Sequence, residues 1–302
     1  MIVDDPRQFL DCYARLAPRK PATARAAFLV SPLDFSLADE SAQDNRYMVR
    51  AAAPDPVCAL REHATLAHRL RDDLPIVTFP GDPVCPDGVF PNNAFATIAG
   101  CLIIGRMQHA IRRRETERAD IRAFFRDLMG YRIADLSMSN CVAELTGALV
   151  IDRARNIGFC GLSTRCDRAG AEAMHAAFGL DLTFRFTLAE GEYHTNVVLA
   201  LLAGRAVIIA PDGFANQAVA DAIAQAYAPA CVRIDRAQKE AYAANAIALT
   251  PRRVWFSASG VDALRVAQRA MLERAGFVLS STDLTTIECA GGSLRCCVAE
   301  IF

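Results

Sequence analysis

Five short segments of the chain hold residue types that could carry out chemistry together. One has a cysteine after two glycines and a serine, another a histidine, and a third a glutamate. A thiolate can attack a planar carbon, an imidazole can carry a proton at neutral pH, and a carboxylate can orient the imidazole. The segments are 87–93, 144–147, 161–165, 193–196 and 291–296. Because they are far apart in sequence, the fold must bring them together.

The elements that must position these segments follow a repeated order. Paired β-type runs, each followed by a helical pattern, are typical of units that bury their apolar faces against neighbouring units. The paired runs are expected at 95–107, 148–162, 184–210, 246–259 and 285–302, with a short helical run inside the third at 197–204. Helices are expected at about 114–129, 168–178, 215–228 and 260–275, and strand 26–31 with helix 57–72 completes the fifth unit. The order predicts an α/β fold, a closed ring of five modules forming one domain over residues 1–302.

Composition excludes several classes of protein. The chain has 302 residues, of which 53% are hydrophobic, so it can bury a large core. Its 33 basic and 34 acidic residues give a net charge of −1, which disfavours nucleic acids and anionic membranes as partners. The sequence shows neither a secretion signal nor an apolar run long enough to span a bilayer, and we expect a cytoplasmic location. The run 112–118, rich in Arg and Glu, predicts a solvated helix start.

Patterns for metals and nucleotide cofactors are missing from the sequence. The eleven cysteines lie in apolar segments without C-x-x-C spacing, and the five histidines form no ligand-like cluster. No dinucleotide-binding G-x-G-x-x-G, P-loop or G-x-S-x-G motif occurs. We therefore expect reduced thiols, no metal and no cofactor.

The segments resemble motifs of the pentein superfamily of guanidine- and ureido-modifying enzymes. Those motifs read here as Phe90-Pro91-Asn92-Asn93, Glu144-Leu145-Thr146-Gly147, Tyr193-His194-Thr195-Asn196 and Gly291-Gly292-Ser293-Leu294-Arg295-Cys296, with Glu300 nearby. The likeness covers nearly the whole chain and is greatest to the citrulline-utilisation hydrolase group. It implies a five-bladed, pseudosymmetric α/β propeller. It also implies a small amino acid as substrate, and a homo-oligomer is possible.

The resemblance assigns roles to individual residues. Cys296 would be the nucleophile, His194 the general acid and base, and Glu144 the carboxylate that orients His194. Cys297 would point to the opposite face of a strand and pack in the core. Substrate contacts are implied for Asp87, Asn92, Asn93, Arg165, Asn196 and Arg295. Without the resemblance, Asp87 before Gly88 is equally typical of a turn, and Arg165 of a solvated surface.

The nature of the substrate depends on two amides. Arginine deiminases carry acidic residues where this chain has Asn93 and Asn196, because a buried guanidinium needs opposing carboxylates. An amide instead offers a donor and an acceptor to a neutral ureido group. We therefore expect hydrolysis of citrulline to ornithine, carbon dioxide and ammonia. Arginine deiminase or dihydrolase, dimethylarginine hydrolase, amidinotransferase and a non-enzymatic binding factor remain alternatives.

The sequence departs from the family motifs at several positions. An aromatic residue, two glycines and a threonine of the motifs are replaced, as is an asparagine that often contacts substrate. The replacements are Ala94, Leu145, Ala290, Cys166 and Ala38, respectively. Each is expected to shift specificity rather than abolish the chemistry.

Overall fold

The computed structural model describes residues 1–48 and 53–302 and contains five small mixed sheets. In every sheet the first strand is antiparallel to the second, and the third is parallel to the second. The strands are β1 Ile2–Val3, β2 Ala26–Val30, β3 Ile76–Phe79, β4 Phe95–Ile98, β5 Cys101–Ile104, β6 Arg132–Asp135, β7 Leu149–Asp152, β8 Ile157–Leu162, β9 Leu182–Thr187, β10 Leu199–Leu202, β11 Ala206–Ile209, β12 Cys231–Arg233, β13 Ile247–Ala248, β14 Arg253–Ser257, β15 Val278–Thr282 and β16 Ala299–Ile301. The sheet orders are β16-β2-β3, β4-β5-β6, β7-β8-β9 with β1 added at the edge, β10-β11-β12 and β13-β14-β15.

Apart from α1, which lies between β1 and β2, the helices connect the second and third strands of each sheet or precede the first strand. The α-helices are α1 Pro6–Tyr13, α2 Pro56–Leu70, α3 Ala110–Thr116, α4 Ala119–Ala123, α5 Leu145–Ala148, α6 Arg168–Phe178, α7 Thr195–Val198, α8 Gln217–Ala226, α9 Arg236–Glu240, α10 Ala258–Ala263, α11 Val266–Arg274, α12 Thr285–Glu288 and α13 Leu294–Cys297. Helix α6 shows how local sequence fixes the boundaries. The Asp167 side chain accepts from the Gly170 amide at its start, and Gly179 adopts a left-handed conformation at its end.

Contacts between sheets follow the chain around a ring. The strand β16 contacts β4, α5 contacts β4, β7 contacts β10, and β10 contacts β13. Contact of α13 with β14 connects the fifth sheet back to the first. The predicted α/β single-domain class is confirmed, and the number of sheets equals the number of units that the sequence pattern indicates. The third unit, predicted over 184–210, is wrong, because β9 pairs with β8 and β11 pairs with β10 in a different sheet. The sheet made by the two chain ends pairs β16 with β2, as expected.

Two predicted elements are wrong. Residues 197–204 were expected to be helical, but only Val197 and Val198 belong to a helical turn, and strand β10 follows. An apolar run without periodicity cannot by itself distinguish a buried strand from a buried helix. The predicted hairpin at 285–302 is also wrong, because this segment contains α12 and α13 before β16. The expected helix at 114–129 begins earlier and is broken into shorter turns.

Helix α2 buries a histidine on its apolar face. His63 is 2% exposed beside Ala59, Leu66 and Leu70, and its Nε2 atom has no hydrogen-bond partner in residues 1–48 and 53–302. Burial lowers the pKa of His63 from its ordinary value of 6.5 to about 4.

In the part of the chain that the structure describes, no helix has the length and apolar content needed to cross a membrane.

We predict that His63 makes the stability of the fold depend on pH. Its pKa is lower in the folded state, so the unfolded state binds the proton more tightly and the stability present above pH 6.5 is lost toward pH 4. The difference corresponds to about 3 kcal/mol. Urea denaturation of wild type and His63→Gln between these pH values should show a shallower loss in the variant. His68→Gln, on the exposed face of α2, is the control and should keep the wild-type slope; equal slopes in all three proteins would contradict the prediction.

Candidate active site

The candidate site is assembled from the segments that immediately precede the first strands of the sheets. Glu144 lies at the start of α5, His194 at the start of α7, and Cys296 within α13. Asn93 ends the short helical turn that precedes β4. Because the first strands contact one another around the ring, equivalent turns from different modules meet at one end of it.

Glu144 and His194 form a buried pair. The Nε2 atom of His194 lies 2.8 Å from Oε2 of Glu144, and both residues are almost completely buried. The two residues occupy matching positions, each five residues before the first strand of its sheet. The expected pairing of the histidine with this carboxylate is thus present in the geometry.

Two arginines keep the Glu144 carboxylate ionised. Nη1 of Arg165 lies 3.2 Å from Oε2 of Glu144, and Nη1 of Arg112 lies 3.7 Å from the same oxygen. Burial alone would raise the pKa of Glu144, but Arg165, His194 and Arg112 together hold it below its ordinary value. An ionised carboxylate accepts hydrogen bonds only, so Nε2 of His194 must carry the proton of this pair.

The other ring nitrogen of His194 is available for proton transfer. Nδ1 is buried and has no hydrogen-bond partner within the described residues. Burial lowers the pKa of His194 against the opposing effect of Glu144. A neutral imidazole with a free Nδ1 lone pair is able to accept a proton and later return it.

Amides surround the sulfur of Cys296, which is 1% exposed. Nδ2 of Asn245 lies 3.3 Å from Sγ, and Nδ2 of Asn196 lies 3.6 Å from it. Asn245 also donates to the carbonyl oxygen of Asn196 and accepts from the amide of Arg295. The side chain of Asn245 therefore links the segments that carry Asn196 and Cys296.

A narrow cavity opens beside Cys296. Asp87, Asn93, Arg112 and Arg165 contribute to its wall. Oδ2 of Asp87 accepts from the Ser41 hydroxyl, whereas Oδ1 is buried and has no partner among the residues that the structure describes. The cavity thus presents one carboxylate oxygen that is free to accept a hydrogen bond.

A glycine allows two of the predicted site residues to approach each other. A Cβ atom on Gly147 would lie 2.4 Å from Oδ1 of Asn93 and 2.8 Å from Cε1 of His194. Only a residue without a side chain fits between them. This requirement accounts for the glycine that ends the 144–147 segment.

The structure gives Arg165 partners within the protein. Its Nε and Nη2 atoms donate to the two carboxylate oxygens of Asp44 at 2.9 and 2.6 Å. This bidentate contact lowers the pKa of Asp44 to about 2 although burial opposes the shift. Arg165 lines the cavity, but its planar fork is filled by Asp44 rather than open for the carboxylate of a substrate.

Arg295 lies away from the Cys296 cavity, which corrects its expected place in the substrate site. Its Nη2 atom pairs with Glu300 at 3.0 Å, and its Nη1 atom donates to the carbonyl oxygen of Val298. The side chain lines a different cavity, at the centre of the ring. The predicted strand alternation of Cys296 and Cys297 is wrong, because both residues lie in the one-turn helix α13.

Asn92 lies next to the site but not on the cavity wall. It is fully buried, and within the described part of the chain neither of its side-chain polar atoms has a hydrogen-bond partner. Its carbonyl oxygen accepts from the Thr146 hydroxyl, which ties the turn before β4 to α5. The backbone of Asn92 therefore has a positioning contact, and a substrate contact of its side chain stays a prediction.

The predicted solvated helix start at 112–118 is wrong for its most important residues. Arg112 and Glu115 are each 3% exposed and form a two-point ion pair with both N–O distances at 2.8 Å. Burial raises the pKa of Glu115 to about 7, against the effect of Arg112. The i, i+3 pairing of these residues was expected. Their burial could not be predicted, because the same spacing of charges is typical of surface helices.

Asn245 is the residue that sequence reasoning missed. It stands two residues before β13, as Asn93 stands two residues before β4. Comparing the turns that precede the first strands would have pointed to it.

Within residues 1–48 and 53–302, no group of three or more Cys, His, Asp or Glu side chains is arranged to hold a metal ion.

Solved structures with the same fold include several enzymes. The N-terminal domain of ArgZ, an arginine dihydrolase from the ornithine–ammonia cycle in cyanobacteria, superposes with a TM-score of 0.79 at 17% identity, covering 91% of this chain and 97% of that one. AgrE gives a TM-score of 0.79 at 19% identity, with 92% of this chain and 39% of AgrE covered. A variant of dimethylarginine dimethylaminohydrolase, in an adduct with S-methyl-L-thiocitrulline, gives 0.71 at 20% identity and covers 92% of this chain and 100% of that one. A sequence comparison with curated proteins finds no match.

These likenesses define the fold as that of the pentein superfamily. The family model described as "N,N dimethylarginine dimethylhydrolase, eukaryotic" matches residues 31–302, so the chain belongs to that family. The family supports hydrolysis of a C–N bond in an arginine-like compound. Assignment to the citrulline-utilisation group stays a prediction.

We predict that Asn245 increases the reactivity of the Cys296 thiol. N–H donors stabilise a thiolate, and removing one of two donors in a buried site should slow alkylation about tenfold. Wild type and Asn245→Leu are treated with iodoacetamide at neutral pH, and the rate at Cys296 is followed by mass spectrometry. Cys58, which is half-buried at the start of α2, is the internal reference and should react equally in both. An unchanged rate at Cys296 would show that the contact has no influence on the thiol.

Proposed function

We propose that this protein is a thiol-dependent hydrolase of a ureido amino acid, and that it converts citrulline to ornithine, carbon dioxide and ammonia. The observation that carries the proposal is the environment of the Cys296 sulfur. The polar side-chain neighbours of the sulfur are the amides of Asn196 and Asn245. A third amide, Asn93, lines the cavity that Cys296 also lines. Such surroundings suit a neutral planar group next to the sulfur.

In the first half of the proposed reaction, the Cys296 thiol gives its proton to Nδ1 of His194, and the resulting thiolate attacks the ureido carbon and forms a tetrahedral adduct. The adduct collapses with cleavage of the bond to the terminal nitrogen. That nitrogen leaves as ammonia after taking a proton from His194. The product on the enzyme is a thiocarbamate, in which the carbonyl carbon joins the sulfur of Cys296 to the δ-nitrogen of ornithine.

In the second half, His194 takes a proton from a water molecule, which attacks the thiocarbamate carbon. The carbon–sulfur bond breaks and regenerates the Cys296 thiolate. The released δ-carbamate of ornithine loses carbon dioxide, so that one citrulline and one water give ornithine, carbon dioxide and ammonia. Glu144 stabilises the imidazolium that forms twice during this cycle, since it accepts the Nε2 proton of His194.

Charge supports the ureido substrate over a guanidinium. The carboxylate of Glu144 is paired with Arg165 and Arg112, and that of Glu115 with Arg112. Carboxylates that already have guanidinium partners are poor additional partners for a cationic substrate. The amides of Asn93 and Asn196 offer donors for a carbonyl oxygen and acceptors for the terminal NH₂ group.

A guanidino substrate is the second candidate, and one observation favours it. Oδ1 of Asp87 is buried in the cavity wall without a hydrogen-bond partner, so it is able to accept from a guanidinium nitrogen. The family is described by its action on N,N-dimethylarginine, and ArgZ is an arginine dihydrolase. In this alternative the same thiol acts on dimethylarginine once or on arginine through two successive hydrolyses. Transfer of an amidino group to an amine would require that amine to replace water in the second half.

The first prediction for this proposal concerns substrate and nucleophile. Purified protein is given L-citrulline, L-arginine or N,N-dimethyl-L-arginine separately, and ornithine, citrulline, ammonia and dimethylamine are measured. We expect ornithine from citrulline, with a loss of at least about 10³-fold in Cys296→Ala because the covalent step is removed. Cys297→Ala, which removes the neighbouring core thiol, should keep most of the activity. Citrulline that accumulates from arginine would overturn the ureido assignment, and activity that survives Cys296→Ala would overturn the nucleophile.

The second prediction concerns the charge of the amides. Asn93→Asp adds a carboxylate beside the reacting carbon and should raise the ratio of kcat/KM for arginine to that for citrulline by about 10²-fold. Asn216→Asp, which adds the same charge at the exposed start of α8, is the control and should leave the ratio unchanged. If Asn93→Asp leaves the ratio unchanged as well, this amide does not select the charge of the substrate.

A further inference from the structure

A second cavity lies at the centre of the ring, among the first strands of four sheets. Its wall includes residues of β7, β10, β13 and β16. Asn196 contributes to this wall and also contacts Cys296, so the two cavities meet at that residue. We refer to the central space as the hub cavity.

The charged side chains of the hub cavity are Arg153, Arg295 and Glu300. Arg295 and Glu300 form an ion pair at 3.0 Å, so their charges offset each other. Arg153 has no carboxylate within 4.0 Å in the part of the chain that the structure describes. The wall therefore carries one guanidinium charge more than it carries carboxylates.

Aromatic rings fix the position of the Arg153 guanidinium. Its central carbon lies 4.1 Å from the ring centroid of Phe302 and 5.5 Å from that of Phe178. Nη1 donates to the carbonyl oxygen of Thr97 at 3.3 Å. Burial lowers the pKa of Arg153 to about 10, with Glu300 opposing the shift and Arg295 adding to it. The cation is therefore held in position on the partly buried side chain of Arg153, and within the described residues its other N–H groups have no protein partner.

We propose that the hub cavity binds a small oxyanion, with Arg153 as its main ligand and Arg295 as a second cationic contact. A guanidinium presents pairs of N–H donors that match two oxygens of a carbonate, phosphate or carboxylate group. The volume of the cavity is about 40 Å³, which suits an ion the size of bicarbonate or phosphate and excludes a nucleotide. The site is independent of the chemistry proposed at Cys296.

The test measures anion binding by the whole protein. Melting temperature is recorded with rising sodium phosphate or sodium bicarbonate against sodium chloride at equal ionic strength, and affinities are measured by calorimetry. Wild type should be stabilised by at least one of the two oxyanions beyond the chloride control. Comparison of the phosphate and bicarbonate titrations shows whether the tetrahedral phosphate or the planar bicarbonate is preferred.

Three variants test whether oxyanion binding depends on the charges of the cavity wall. Arg153→Gln should weaken oxyanion binding at least about tenfold, because the unpaired cation is removed. Glu300→Gln removes the only carboxylate of the described wall and should tighten binding, which provides a test even if Arg153→Gln does not fold. Arg132→Gln, an exposed arginine on β6, is the control and should bind like wild type. Absence of oxyanion stabilisation in wild type, equal affinity in Arg153→Gln, or weaker binding in Glu300→Gln would overturn the proposal.

Discussion

The buried carboxylate of Glu144 is the constraint on which the rest of the site depends. A carboxylate with no exposure is stable as an ion only when cations and hydrogen-bond donors replace its water. Arg112, Arg165 and His194 supply them from three separate segments of the chain. Closing the ring thus requires that these three groups meet Glu144. The contact with Glu144 also places the proton of His194 on Nε2, which leaves Nδ1 free.

The ring geometry explains how distant segments supply these groups. Each first strand is entered from a turn at the same end of the ring, and the turns differ mainly in the side chain that they present. Glu144 and His194 occupy one equivalent position, whereas Asn93 and Asn245 occupy another. A repeated backbone therefore supplies an acid, a base, two amides and a thiol from separate turns at one end of the ring, without any one segment carrying a complete catalytic motif.

The sequence predicts the parts of this structure that have local causes. Helix α6 has its N-cap and its left-handed glycine in the chain itself, and its bounds match the prediction. Strand β10 was missed because an apolar run has no period when both of its faces are buried. Arg112 was misjudged because a buried ion pair and a surface ion pair have the same spacing. Arg295 was assigned to the substrate site from motif letters, which do not specify that its side chain pairs with Glu300.

The Cys296 cavity and the hub cavity differ in whether their arginines have carboxylate partners. Around Cys296 the arginines already have carboxylate partners, so the remaining polar groups near the sulfur are neutral amides that suit a neutral group. On the other side of Asn196, Arg153 has aromatic neighbours and a carbonyl but no carboxylate within the described residues. A guanidinium in such surroundings is stabilised when an anion enters. The difference between the two sides lies in how far the protein itself neutralises its buried arginines, and that difference determines the kind of ligand that each side suits.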